Sequence, residues 1–135
     1  LHKYDQLRGC IGSLEPLRSL AADIAHNAFA AAFSDRRFPP VTVNEIDYLD
    51  IHISILATPE EICFTSEDDL ISQLRPGIDG LILEEGSRHG TFLPSVWESL
   101  TDKHEFLNHL KQKSGLAANY WSDTIKVQRY TVEEF

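Results

Sequence analysis

Apolar residues at Leu17, Leu20, Ala21, Ile24, Ala25, Ala28 and Phe29 recur at the spacing of one helical face, predicting a helix that ends near position 33. Ser13-Leu14-Glu15-Pro16 reads as its start, since Pro is pre-set for an early helical position. Its Ala-rich end would permit close packing. Phe38-Pro39-Pro40 rules out continuation, because a residue before Pro avoids the α region. Asn44 is then expected to cap a short turn over 45–48. The pattern next changes to period two. Leu49, Ile51, Ile53 and Ile55 alternate with Asp50, His52 and Ser54, which predicts one strand over 49–56.

Before the helix, residues 1–3 and 7–11 flank Tyr4-Asp5-Gln6 and read as a hairpin. Beyond the long strand, residues 68–74 form a short helix stopped before Pro76-Gly77. Strands follow over 81–84 and 89–93 around the turn Glu85-Gly86-Ser87-Arg88, and Pro94-Ser95-Val96-Trp97 opens a helical turn. Asp102 caps a helix to about position 114, with Phe106, Leu107 and Leu110 on its buried side and Gly115 as its stop. A last strand covers 125–132. The sum is an α+β fold, mostly antiparallel sheet with packed helices. No repeat or long linker appears, so 1–135 is read as one domain.

Composition narrows the function classes. The 135 residues suffice for a proper core, and no apolar run is long enough to span a membrane. A net charge of −9 repels phosphate backbones, and Arg36-Arg37 is the only adjacent basic pair, so nucleic acid is disfavoured. Two cysteines, Cys10 and Cys63, give no disulfide framework and suit a reducing, cytoplasmic setting. The six histidines fall in no metal-binding frame, so neither a metal nor another cofactor is expected. The chain holds no Met, so it is expected to be part of a longer translation product.

The densest chemistry lies in Leu7-Arg8-Gly9-Cys10-Ile11-Gly12. Extended, this segment would put Leu7, Gly9 and Ile11 on one face and Arg8, Cys10 and Gly12 on the other. A guanidinium two residues from a thiol, roughly 6–7 Å away between Cα atoms, would favour the reactive thiolate. Strand glycines often mark the close approach of a ligand or another backbone. Against this stands the plainer reading of Cys10 as a small buried residue. On the Pro-stiffened loop, Arg37 could clamp an anion bidentately or form an ion pair with Asp35 or with another subdomain. Asp50, His52 and Ser54 do not make a catalytic triad, because alternate residues on one strand do not converge. Gly77-Ile78-Asp79-Gly80 is too short for a phosphate loop and reads as a turn, and Trp97 and Trp121 read as core anchors.

Leu7-Arg8-Gly9-Cys10-Ile11-Gly12 also resembles the signature of the AMMECR domain family, known in bacteria and archaea as AmmeMemoRadiSam system protein A. Agreement continues in order through Asp35-Arg36-Arg37-Phe38-Pro39-Pro40-Val41, Ile53-Ser54-Ile55-Leu56, Gly77-Ile78-Asp79-Gly80-Leu81-Ile82-Leu83, Gly90-Thr91-Phe92-Leu93-Pro94-Ser95-Val96-Trp97 and Lys113-Ser114-Gly115-Leu116. The resemblance implies two α+β subdomains around a cleft beside the signature. It also implies an N-terminal helix and strand that this chain is expected to lack, and association with a Memo-like metalloprotein and a radical S-adenosylmethionine protein. It supplies no reaction.

Two functions of different class are therefore expected. In the first, the cleft binds a small anionic ligand through Gly9, Gly12, Arg37, Ser54 and His89, and acts on it through Cys10 with Arg8 assisting. In the second, the protein is a non-catalytic adaptor whose Arg37 and Phe38-Pro39-Pro40 surface docks on those partner proteins.

Overall fold

Tyr4 and Asp5 have φ values of 52° and 62°, the left-handed pair that suits a two-residue hairpin turn. They join β1 (His2–Lys3) to β2 (Gln6–Leu7), with His2 opposite Leu7 and Lys3 opposite Gln6. The computed structural model describes residues 1–135 and contains two compact units, Leu1–Ser54 with Glu134–Phe135, and Ile55–Glu133.

In unit 1 the strand stops at Leu7, short of the expected 7–11. The amides of Arg8 and Gly9 both turn to the Leu1 carbonyl, at 2.9 and 3.3 Å, which ends the ladder. The expected alternation is therefore lost: Arg8 and Gly9 are buried, while Leu7, Cys10, Ile11 and Gly12 are exposed. Helix α1 (Leu20–Phe33) begins after Ser19, later than expected. Ser13 stays outside it as a tether, donating to Asp23 at 3.0 Å and accepting from Asn27 at 3.0 Å. Thr42, not Asn44, caps the 3-10 turn Val43–Tyr48, by a capping box with Glu45.

The expected strand over 49–56 is two strands serving two partners. Leu49–Asp50, β3, pairs with β1, giving the order β2-β1-β3. After Ile51, which is exposed, Ile53 exchanges backbone hydrogen bonds with Phe135 at 2.9 and 2.8 Å. Ser54–Leu56, β4, then pairs with the last strand of the chain.

Unit 2 carries the main core. Its elements are β5 (Glu60–Glu61), α2 (Glu67–Gln73), β6 (Gly80–Glu85), β7 (Arg88–Phe92), α3 (Lys103–Lys113) and β8 (Lys126–Tyr130), and β9 (Val132–Glu134) leaves it at Glu133 for unit 1. β5, β8, β6 and β7 form an antiparallel sheet in that order. α2 and α3 lie against it, so Leu70, Leu81, Leu83, Phe106, Leu107, Leu110 and Val127 are fully buried. Each such side chain contributes about 1.5–3 kcal/mol by leaving water. The ring of Trp97, in the 3-10 turn Pro94–Glu98, stacks on Phe106 with centroids 3.7 Å apart.

Local signals explain these helix ends. Ser66 Oγ accepts from the Asp69 amide, and Asp102 Oδ1 accepts from the Glu105 amide. Gly115 ends α3 at a φ of 86°. Lys111 is also fully buried, held by Glu67 and the Ala118 carbonyl. Antiparallel sheets with packed helices make this an α+β protein. No helix is long and apolar enough to cross a membrane.

Candidate functional site around Cys10

Three contacts within unit 1 shape the segment after β2. The first fixes Gly9: a Cβ there would overlap the Ala31 carbonyl oxygen, far inside contact distance, so only glycine permits this approach to α1. The second fixes Arg8. Its Nε and Nη2 donate to the two carboxylate oxygens of Glu45 at 3.0 and 3.1 Å. Glu45 also accepts from Lys3 Nζ at 3.0 Å and the Thr42 amide at 2.9 Å. The Arg8 pair, with help from Thr42 and Lys3, holds the Glu45 carboxyl well below the usual carboxylate range. Arg8 in turn is raised above its ordinary value by the same hydrogen bonds.

The third contact fixes Cys10. Asp35 Oδ2 accepts the Cys10 N–H at 3.0 Å. The same carboxylate binds the Arg37 guanidinium at 2.7 and 3.0 Å, and the Arg37 amide at 3.1 Å. Arg37 Nη2 closes the ring by donating to the Cys10 carbonyl at 3.2 Å. The Cys10 peptide group is thus held at its N–H and its C=O, while the residue itself is exposed. Asp35 is 7% exposed, whereas the Arg37 side chain is 57% exposed. Arg37 first, and the Cys10 amide second, keep the Asp35 carboxyl well below the usual range.

The expected site residues are thereby distributed. Arg8, Gly9, Cys10, Gly12, Arg37 and Ser54 belong to unit 1, and His89 to unit 2. The guanidinium touching the Cys10 peptide is that of Arg37, while Arg8 is turned to Glu45. Gly12 has open space around it. Ser54 donates to Glu134 at 2.8 Å, and His89 is exposed on β7 opposite Glu84. His52 packs on His2, with ring centroids 4.6 Å apart. No three His, Cys, Asp or Glu side chains gather as a metal cluster.

Two organising residues were missed from the sequence, Glu45 and the full role of Asp35. The signal for Glu45 was the Thr42-x-x-Glu45 capping-box spacing. The sequence makes Asp35 only an ion-pair partner of the loop, since a bond to a backbone amide 25 positions away leaves no local trace.

The AMMECR1 family profile matches residues 1–135. Protein MJ0810 of Methanocaldococcus jannaschii is 39% identical over 139 residues, spanning all of this chain and 69% of that protein. A Thermotoga maritima protein is 41% identical over 137 residues, again spanning all of this chain and 74% of the relative. For a Thermofilum pendens relative, 39% identical, the match spans 96% of this chain but only 62% of the relative. Among solved structures, the uncharacterised protein PH0010 from Pyrococcus horikoshii superimposes with a TM-score of 0.89 at 34% identity. That match covers 98% of this chain and 68% of the other. With every residue matched by the profile and the architecture shared with PH0010, the chain belongs to the AMMECR1 family.

Proposed function

We propose that the protein receives a small anionic ligand against the segment from Arg8 to Gly12 and presents the Cys10 thiol to it. The observation that supports this reading most is the double anchoring of an exposed residue. A surface cysteine with no task needs no buried aspartate holding its amide, nor an arginine on its carbonyl. Arg37 has a half-exposed guanidinium, whose charge and planar donor fork suit a carboxylate or phosphate. Gly12 keeps the adjacent backbone open to an incoming group. In this reading Arg8 is a positioning residue, fixing the segment through Glu45. Ser54, in the same unit, is a secondary contact.

A titration of 15N-labelled protein with malonate tests the proposal. The expected result is a saturable shift of the Cys10, Gly12 and Arg37 amides, lost in Arg37→Gln. Small shifts scattered over the surface would reject it.

A second reading is favoured by a separate observation. Unit 1 exposes Leu17, Phe29, Val43 and Ile46 at 72, 66, 83 and 58%. Phe29 and Phe33, both exposed, adjoin with ring centroids 4.8 Å apart, and contiguous apolar surface suits a protein contact. In this reading the protein is an adaptor for a Memo-like protein and a radical S-adenosylmethionine protein. Capture of those two proteins that fails with Arg37→Glu and survives Cys10→Ala would support the adaptor.

A further inference from the structure

In unit 2, two guanidiniums share one buried carboxylate. Asp79 is fully buried between α2 and β6 in the chain. Its Oδ1 accepts from Arg75 Nε at 2.9 Å and Nη2 at 2.6 Å. Its Oδ2 accepts from the Arg75 amide at 2.9 Å and from Arg129 Nη1 at 3.4 Å. Trp97 Nε1 donates to the Asp79 carbonyl at 2.8 Å, so the carboxylate is a fixed post.

Both arginines keep donors in reserve. Arg75 Nη1, and Nε and Nη2 of Arg129, have no protein acceptor, and the two side chains are 49% and 18% exposed. The two residues line one concavity of about 100 Å³ together with Thr58, Glu60 and Thr131. Its donors come from three segments: the β4–β5 connection, the turn after α2, and the end of β8. Two arginines set against Asp79 and Glu60 leave the concavity free of the negative excess of a chain whose net charge is −9. Glu60, opposite Arg129 in the β5–β8 register, forms an ion pair with neither arginine.

We infer that this concavity is a receptor for one phosphate group, free or at the end of a larger ligand. Guanidinium donors from two separate segments, with Thr58 and Thr131 beside them, offer a tetrahedral oxyanion more partners than a planar carboxylate can use. The concavity is well below the roughly 300–1,000 Å³ of sites that enclose a whole ligand, so only a single group enters. Glu60 at its side opposes a second negative charge and limits affinity.

The test follows the arginine Nε–H signals of the full chain as inorganic phosphate, methyl phosphate or acetate is added at constant ionic strength. Phosphate should shift Arg75 and Arg129 saturably, and acetate should not. Binding of methyl phosphate as well as phosphate assigns a ligand-borne group, and binding of phosphate alone assigns the free ion. Arg129→Gln should weaken binding about tenfold or more, as expected for loss of a charge-assisted hydrogen bond. Glu60→Gln should strengthen it, an outcome that a misfolded variant cannot imitate. An equal response to acetate, a shift that does not saturate, or an unchanged Kd in Arg129→Gln would overturn the inference.

Discussion

Asp35 Oδ2 accepts the backbone N–H of Cys10 at 3.0 Å, and this bond sets the position of that cysteine. The carboxylate that makes it is itself fixed by Arg37, whose Nη2 also reaches the Cys10 carbonyl. Buried anchor, exposed thiol and exposed guanidinium therefore form one unit, and loosening one should loosen the rest.

Asp35→Ala removes the acceptor from the Cys10 amide. Hydrogen exchange at that amide should accelerate by about tenfold or more, the scale of one charge-assisted hydrogen bond. Exchange within α3 should not change. Equal Cys10 exchange rates in the two proteins would show that Asp35 does not hold it.

Acid should act on the same residues. The Asp35 and Glu45 carboxyls both sit below their ordinary values because cations and amides hold the charged form. Groups with depressed pKa contribute stability that is fully present above the unfolded value, near pH 4 by model-peptide standards, and lost as pH falls toward the folded one. Chemical shifts of unit 1 should report local loosening below about pH 4. Asp35→Asn should weaken that acid dependence. A variant as acid-sensitive as the wild type would assign the effect to other groups.

Gly9 and Gly12 should behave oppositely. At Gly9 an added methyl meets the Ala31 carbonyl, so Gly9→Ala should cost about 1–3 kcal/mol in urea unfolding, the range of overpacking. At Gly12 nothing lies within 4 Å, and Gly12→Ala should stay within about 0.5 kcal/mol. Similar costs at the two positions would contradict the packing described.

Leu110→Ala should destabilise by about 2–5 kcal/mol, since the side chain is fully buried between α3 and the sheet. Leu17, 72% exposed, should tolerate alanine within about 0.5 kcal/mol. Calorimetry of both variants checks the contrast.

What was legible in the sequence was local. Asp102, the apolar stripe of Phe106, Leu107 and Leu110, and Gly115 are short-range signals, and α3 follows them closely. The strand over 49–56 failed because its alternation cannot say that β1 pairs with one end and β9 with the other. Alternation likewise misled at Leu7 to Ile11, where the backbone turns to Leu1 and sends Arg8 inward to Glu45. The density of Arg8, Gly9, Cys10 and Gly12 in one short segment is what drew the candidate site there. Which cation stands beside Cys10 was settled only by the contact between Arg37 and residues 27 positions earlier. The shared post at Asp79 was hidden for the same reason, since Arg129 lies 50 residues away.

The most direct measurement is the rate of Cys10 alkylation by iodoacetate relative to iodoacetamide, read by mass spectrometry. Cys63, exposed in unit 2 on a groove it shares with Glu61 and Asp123, serves as the internal reference. If Arg37 makes the surroundings of Cys10 receptive to anions, the ratio will be higher at Cys10 than at Cys63, and Arg37→Gln will lower it. Equal ratios at the two cysteines, or a Cys10 ratio unmoved by Arg37→Gln, would contradict an anion-receiving site at the signature.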